Sequence, residues 1–249
     1  MTRTLIANTL HELRTTLKQG PKNRGAIGTR SIGQQSAFWL PAQTLRISFW
    51  GNPEEALKQA ILDTASQWLE YANLEFERVG NNDQSAHIRI DCNVPENVNR
   101  SYLGREAMNI EGPTLYLGVK PSNETFEMTV LHEFGHVLGL KHEHQHPQAH
   151  IPWDWEALRE VVIDGLSEEE LNHSDIEAII DKALDVNFRP LTPDGLILLH
   201  YDKLSIMHYS VEQELTLGDW ELDYNWHLSE KDKQLVGMIY PGRFEHSAI

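Results

Sequence analysis

Cysteine is nearly absent from this chain: among 249 residues there is one, Cys92, so no intramolecular disulfide can form. Stability has to come from an apolar core, and this usage points to a reducing compartment or to an export route without covalent staples. Cys92 lies in an alternating apolar stretch and reads as a small buried strand residue, not a reactive thiol. Basic residues are also scarce. Lys and Arg number 21 against 37 Asp and Glu, a net charge of −16. Phosphate binding needs clustered Lys and Arg, so no nucleic-acid partner is expected. No run approaches about 18 consecutive apolar residues, so no segment reads as a membrane span. Internal repeats and low-complexity tracts are missing too. What remains, 40% hydrophobic residues with a full aromatic set, suits one globular domain or two subdomains flanking a cleft.

The few basic residues are unevenly placed. Residues 1–35 hold six of them and one acid, Glu12, for a charge of +5; the remainder carries −21. Within this stretch Ile6, Leu10, Leu13 and Leu17 recur at helical spacing. The pattern predicts an amphipathic basic helix that docks on an acidic body. It has neither the apolar stretch nor the small-residue cleavage site of a secretory signal, and the compartment stays unassigned between cytoplasm and leaderless export. The run KQGPKNRGAIG reads as a linker. Residues 1–36 are therefore set apart as an arm, with one domain over 37–249.

From residue 37 the pattern tightens. TLRISFW alternates, with Leu45, Ile47 and Phe49 on one face, as a half-buried strand does. Asn52 and Pro53 suit an N-cap and first helical position, and Leu57, Ile61, Ala65, Trp68 and Ala72 share one helical face. NLEFERV, AHIRIDC and PTLYLGV read as further strands. SNETFEMTVLHEFGHVLGL predicts a long helix capped near Asn123 and stopped at Gly139. Beyond residue 142, helices are expected over 153–163 and 168–184, and another over 230–239 with Ser229 as N-cap and Pro241 as stop. Strands and a helix followed by helices and loops indicate an α+β fold. It divides into an N-terminal subdomain, 37–142, and an irregular, partly helical C-terminal one, 143–249.

The stretch HEFGHVLGLKHEHQHP, residues 132–147, holds five of the 13 histidines. His132 and His136 stand one helical turn apart, so both rings leave the same face and reach one ion. Glu133 sits one step round, able to address a water on that ion. Gly139 can adopt the left-handed conformation that turns the chain back and brings His142 round. Three imidazoles with one open position are the donor set of a catalytic zinc, one Zn2+ per chain. His144 and His146, ahead of Pro147, read as exposed loop histidines; a second metal shared with His150 is the minor alternative.

HExxHxxGxxH, as His132, Glu133, His136, Gly139 and His142, resembles the metzincin zinc-peptidase signature. The methionine turn of that clan is matched by YDKLSIMHYS at 201–210. Glu143 directly after the third histidine, and Ser205-Ile206-Met207-His208-Tyr209, are most similar to the astacin family. FWLPAQTLRISF and LSEKDKQLVGMIYPG extend the resemblance to roughly residues 37–245. It implies a metzincin-type fold, a twisted mixed sheet with a long active-site helix, and a zinc-dependent endopeptidase acting on a protein or peptide. It also implies Met207 as an apolar floor under the metal, and Tyr209 as an extra zinc ligand that swings away to hydrogen-bond the developing oxyanion. Glu133 is then the general base, and the substrate pairs with a rim strand, for which PTLYLGV is the candidate. A zinc-containing module that binds peptides without cutting them is the alternative from another class. The sequence departs from the family in its single cysteine, and no Asp or Cys precedes residue 63. The aspartate that silences typical members is thus missing, and Glu12 or His11 would have to substitute. Residues 1–35 themselves are a candidate inhibitory arm across an acidic cleft.

Overall fold

The computed structural model describes residues 2–19 and 33–243. The linker expected over 18–28 falls almost wholly outside them, as does the side chain of Glu12. A helix α1 (Thr2–Gln19) comes first, then a two-residue strand β1 (Gly33–Gln34). The N-terminal subdomain continues with β2 (Thr44–Trp50), α2 (Glu55–Ala65), β3 (Glu75–Arg78), β4 (Ile88–Asp91), β5 (Asn99–Ser101), β6 (Leu115–Leu117) and α3 (Phe126–Val137). The C-terminal part supplies α4 (Trp155–Asp164), α5 (Glu168–Leu171), α6 (Ile176–Phe188), β7 (Leu196–Ile197) and α7 (Glu230–Ile239).

Five strands form one mixed sheet in the order β3-β2-β4-β6-β5, with β5 alone antiparallel. The alternation in β2 does what its period requires: Leu45, Ile47 and Phe49 are each 0% exposed. Burial of such side chains contributes roughly 1.5–3 kcal/mol apiece. They meet Ile61 and Ala65 of α2 and Val130, Leu131 and Phe134 of α3 in one apolar cluster, which fixes α3 against the sheet. A second cluster lies in the C-terminal part, where Leu158, Val162, Ile180 and Phe188 pack with Ile6 and Leu13 of α1. The amphipathic arm is therefore a docked helix, as its spacing predicted. The α+β architecture expected from the order of elements is the one observed.

Several boundaries differ, each for a local reason. α2 starts at Glu55, not at Pro53, because the Asn52 side-chain oxygen accepts from Asn81 Nδ2 at 3.0 Å instead of capping. The helix also ends at Ala65: Ser66 Oγ donates back to the Leu62 carbonyl at 2.7 Å, and Trp68 follows in a 3-10 turn. The expected 168–184 helix is two. α5 ends after four residues, the Asn-His-Ser-Asp run at 172–175 breaks the pattern, and α6 continues to Phe188. α4 begins two residues later than expected, at Trp155, because Asp154 Oδ1 accepts from the Glu156 and Ala157 N–H groups. PTLYLGV is not a rim strand. β6 pairs with β4 on one side and β5 on the other, so the outer edge belongs to the short polar β5. Cys92 is buried directly after β4, and burial pushes its thiol up to about 11, as suits an inert core residue.

Candidate active site

α3 carries the first half of the site. Asn123 Oδ1 accepts from the Thr125 N–H at 3.0 Å and its hydroxyl at 2.7 Å, a turn that starts the helix at Phe126, three residues beyond the expected cap. Its C-terminus closes in a Schellman arrangement: the Gly139 N–H donates to His136 O at 2.8 Å and the Leu140 N–H to Gly135 O at 2.9 Å. Gly139 has φ +86°, a conformation that an L side chain adopts only under strain. The reversal brings His142 back over the helix, as the spacing predicted.

The three rings converge. His142 Nε2 lies 3.0 Å from His136 Nε2 and 3.2 Å from His132 Nε2. His132 Nδ1 donates to Ile206 O at 2.8 Å, and His136 Nδ1 donates to Leu140 O at 2.7 Å. A carbonyl can only accept, so in these two rings the proton sits on Nδ1 and Nε2 is a bare lone pair. His142 Nδ1 has no partner among the described residues, so nothing holds that ring's proton away from Nε2 or commits it to a backbone group. Ligands about 2.0–2.1 Å from a tetrahedral zinc stand roughly 3.3 Å apart, so this donor set fits the ion. Burial is the main cause holding His132 down at about 4 and His136 at about 3, and the rings stay neutral donors. Among the described residues these three form the group of His, Cys, Asp and Glu side chains able to hold a metal.

Glu133 is 5% exposed, and its Oε2 has no hydrogen-bond partner among the described residues. Burial raises the carboxyl to about 8, and the Arg100 guanidinium on β5 works against that rise. Met207 is buried under α3, where Gly135 makes room: a Cβ there would stand 2.2 Å from Met207 Sδ. Tyr209 is 3% exposed, with its ring centroid 4.3 Å from that of His142 and 5.1 Å from that of His132. The structure thus brings the three candidate ligands together with the tyrosine ring, with the methionine packed under the same helix and Glu133 buried on it.

The loop histidines contradict their expectation. His144 and His146 are 1% and 2% exposed, buried beneath the C-terminal part. His144 Nε2 donates to Asn187 O and His146 Nε2 to Leu199 O, each at 2.8 Å. His150, which is exposed, forms no metal group with them among the described residues.

Other residues near the site carried no signal in the sequence. Ile206 and Leu140 contribute only carbonyls. Asp232 on α7 accepts from Ser205 Oγ at 2.6 Å and from the Ile206 N–H at 2.8 Å, clamping the turn under the metal site from behind. Burial raises its carboxyl to about 6.

The sequence profile of the peptidase family described as "Astacin" matches residues 31–180. The chain belongs to the astacin family. It is a zinc metalloendopeptidase, and its three-histidine cluster is consistent with the catalytic zinc typical of astacins. Among solved structures it is similar to one of myroilysin, with a TM-score of 0.70 at 28% identity over 84% of this chain and 98% of that one. A second myroilysin crystal structure gives 0.61 at 29% identity over 83% and 87%. High choriolytic enzyme 1, a hatching enzyme zinc-protease from Oryzias latipes (Medaka fish), gives 0.55 over 83% and 95%, and its 17% identity speaks for the fold alone. No curated protein matches. An endopeptidase of the astacin family acts on peptide, and no helix among the described residues is long and apolar enough to cross a membrane.

Proposed function

We propose that His132, His136 and His142 hold one zinc ion per chain through their Nε2 atoms, with Glu133 as general base and acid. The observation that carries this reading is the meeting of those three nitrogens; Glu133, the residue after His132 on α3, is buried with its Oε2 lacking a partner among the described residues. Bound zinc supplies Lewis acidity, which brings the pKa of a water down to about 7 and polarises the scissile carbonyl. Glu133 takes the proton of the attacking water and returns it to the amine nitrogen as the peptide C–N bond breaks. Tyr209, its ring beside those of His132 and His142, donates a hydrogen bond from its hydroxyl to the developing oxyanion. The resemblance also makes Tyr209 a metal ligand before substrate arrives. The peptide extends along β5, the edge strand of the sheet that lies against α3. Glu133→Ala tests the assignment. Zinc content should match wild type while casein or quenched-peptide cleavage falls about 10²-fold or more, and turnover within tenfold of wild type rejects it. A purely peptide-binding module would show no cleavage even in the wild-type, zinc-loaded chain.

A second reading concerns the arm, taken as residues 1–36 ahead of a catalytic domain at 37–249. α1 packs on α4 and α6 through Ile6, Leu10 and Leu13, and Arg14 Nε meets Glu170 Oε1 at 2.7 Å. One turn earlier along the helix, His11 Nε2 contacts the Arg100 guanidinium on β5. The helix therefore spans from the C-terminal helices to the edge strand that substrate would use. Removing residues 1–35 should raise turnover, more so at low salt. Unchanged turnover would reject an inhibitory role.

A further inference from the structure

We propose that Asp232 is a positioning residue of the metal site, acting through the turn at 205–207 to hold the His132 ring in place. The inference rests on the zinc reading above. The chain of contacts is continuous. Asp232 Oδ1 accepts from Ser205 Oγ at 2.6 Å, and Oδ2 accepts from the Ile206 N–H at 2.8 Å. Ser205 Oγ in turn accepts from the Met207 N–H at 3.0 Å, so one carboxylate fixes three successive residues of the turn. The carbonyl of the same Ile206 accepts from His132 Nδ1, the bond that leaves Nε2 bare for a metal. The next carbonyl, Met207 O, accepts from the Glu143 N–H at 3.0 Å, directly after His142. Two of the three ring-bearing segments are thereby tied to a turn that Asp232 braces.

The carboxylate is 4% exposed and accepts a third bond, from the Ser229 N–H at 2.9 Å. A helix cap alone does not require this burial. The capping box at Ser229 uses only one of its oxygens, while Oδ1 is spent on the turn. In the equivalent box of α5 the Glu170 carboxylate keeps 21% of its side chain exposed, beside Arg14. An uncharged amide at 232 would set an N–H group against Ser205 or against the two backbone donors. The first reverses the bond, the amide donating to Ser205 Oγ and leaving its hydroxyl proton without Asp232, and the second sets N–H against N–H. Both replace charge-assisted bonds and weaken the hold on the carbonyl to which His132 donates.

Asp232→Asn is the test, on full-length protein stripped of metal and titrated with zinc against a chromophoric chelator. The wild type should bind one zinc. Asp232→Asn should keep its circular dichroism spectrum, bind zinc about tenfold more weakly and show altered d–d bands with cobalt in place of zinc. Ser167→Ala, which removes the capping hydroxyl of α5 and no bond to residues 201–210, should lower the melting temperature without changing zinc affinity. If Asp232→Asn does not fold, Ser205→Ala removes only the hydroxyl relay and should weaken zinc binding in the same direction. Zinc affinity within twofold of wild type and unchanged cobalt bands, in Asp232→Asn or in Ser205→Ala where the first does not fold, overturn the proposal. Failure of the wild type to bind zinc overturns the reading beneath it instead.

Discussion

At the scale of single residues, the site commits two of its imidazole protons to the backbone. Nδ1 of His132 and of His136 is spent on a backbone carbonyl, so neither ring can offer its proton toward the centre. This makes the zinc-free protein sensitive to acid. His132 is held at about 4, His136 and His144 at about 3 and His208 at about 4, all by burial, against an ordinary value of 6.5. A base whose folded value is depressed stabilises the fold above the unfolded value, and that contribution is lost as pH falls. Glu133, raised to about 8, and Asp232, raised to about 6, act in the opposite sense. With four such histidines against two carboxyls, the melting temperature of metal-stripped protein should fall as pH drops from about 6.5 to 4. A rise across that window, measured by scanning calorimetry, would contradict the burial described. Tyr209→Phe keeps the packed ring and removes only the hydroxyl. Turnover should drop with zinc content unchanged, and loss of zinc would make the residue structural. HExxHxxGxxH was legible at this scale because its geometry is local, fixed by one helix and one glycine. Asp232 was not, since its partners lie 26 and 27 residues away in the chain and no spacing encodes them.

Among elements, the reversal after α3 carries most weight. Gly139 holds φ +86°, and a Cβ there would stand 2.8 Å from Phe38 Cδ1. Gly139→Ala should therefore cost at least about 1 kcal/mol from backbone strain alone and weaken zinc binding, since His142 follows the turn. Equal zinc affinity in a folded Gly139→Ala variant would show that another turn can present the third ring. α3 was readable because caps and apolar spacing act within its own sequence. β5 was not: Asn-Arg-Ser is three residues long and polar, and it becomes a strand only because β6 offers it an edge. The histidines at 144 and 146 were misplaced for a related reason. A loop with polar residues is ordinarily exposed, yet this one runs beneath α6, where the Asn187 and Leu199 carbonyls each accept from one nitrogen of a ring.

Over the whole molecule, charge and burial are arranged about one centre. The basic arm docks on a body of charge −21 and reaches both α5 and β5. Arg14→Glu would set like charges against Glu170 and should raise peptide turnover at low salt, with the gain shrinking as salt screens the pair. No change in turnover at any ionic strength would leave α1 a structural helix. The order of elements and the binary pattern sufficed for the α+β class, because both are written along the chain. The place where the arm lies was not legible there, because docking depends on surfaces that exist only after folding.

The central claim is that three imidazole nitrogens converge on one zinc ion. Anomalous diffraction collected on either side of the zinc absorption edge, from crystals of never-chelated protein, tests it most directly. The expected result is one strong difference peak per chain, bounded by Nε2 of His132, His136 and His142. A map without a peak there, or with zinc bound elsewhere on the chain, would contradict it.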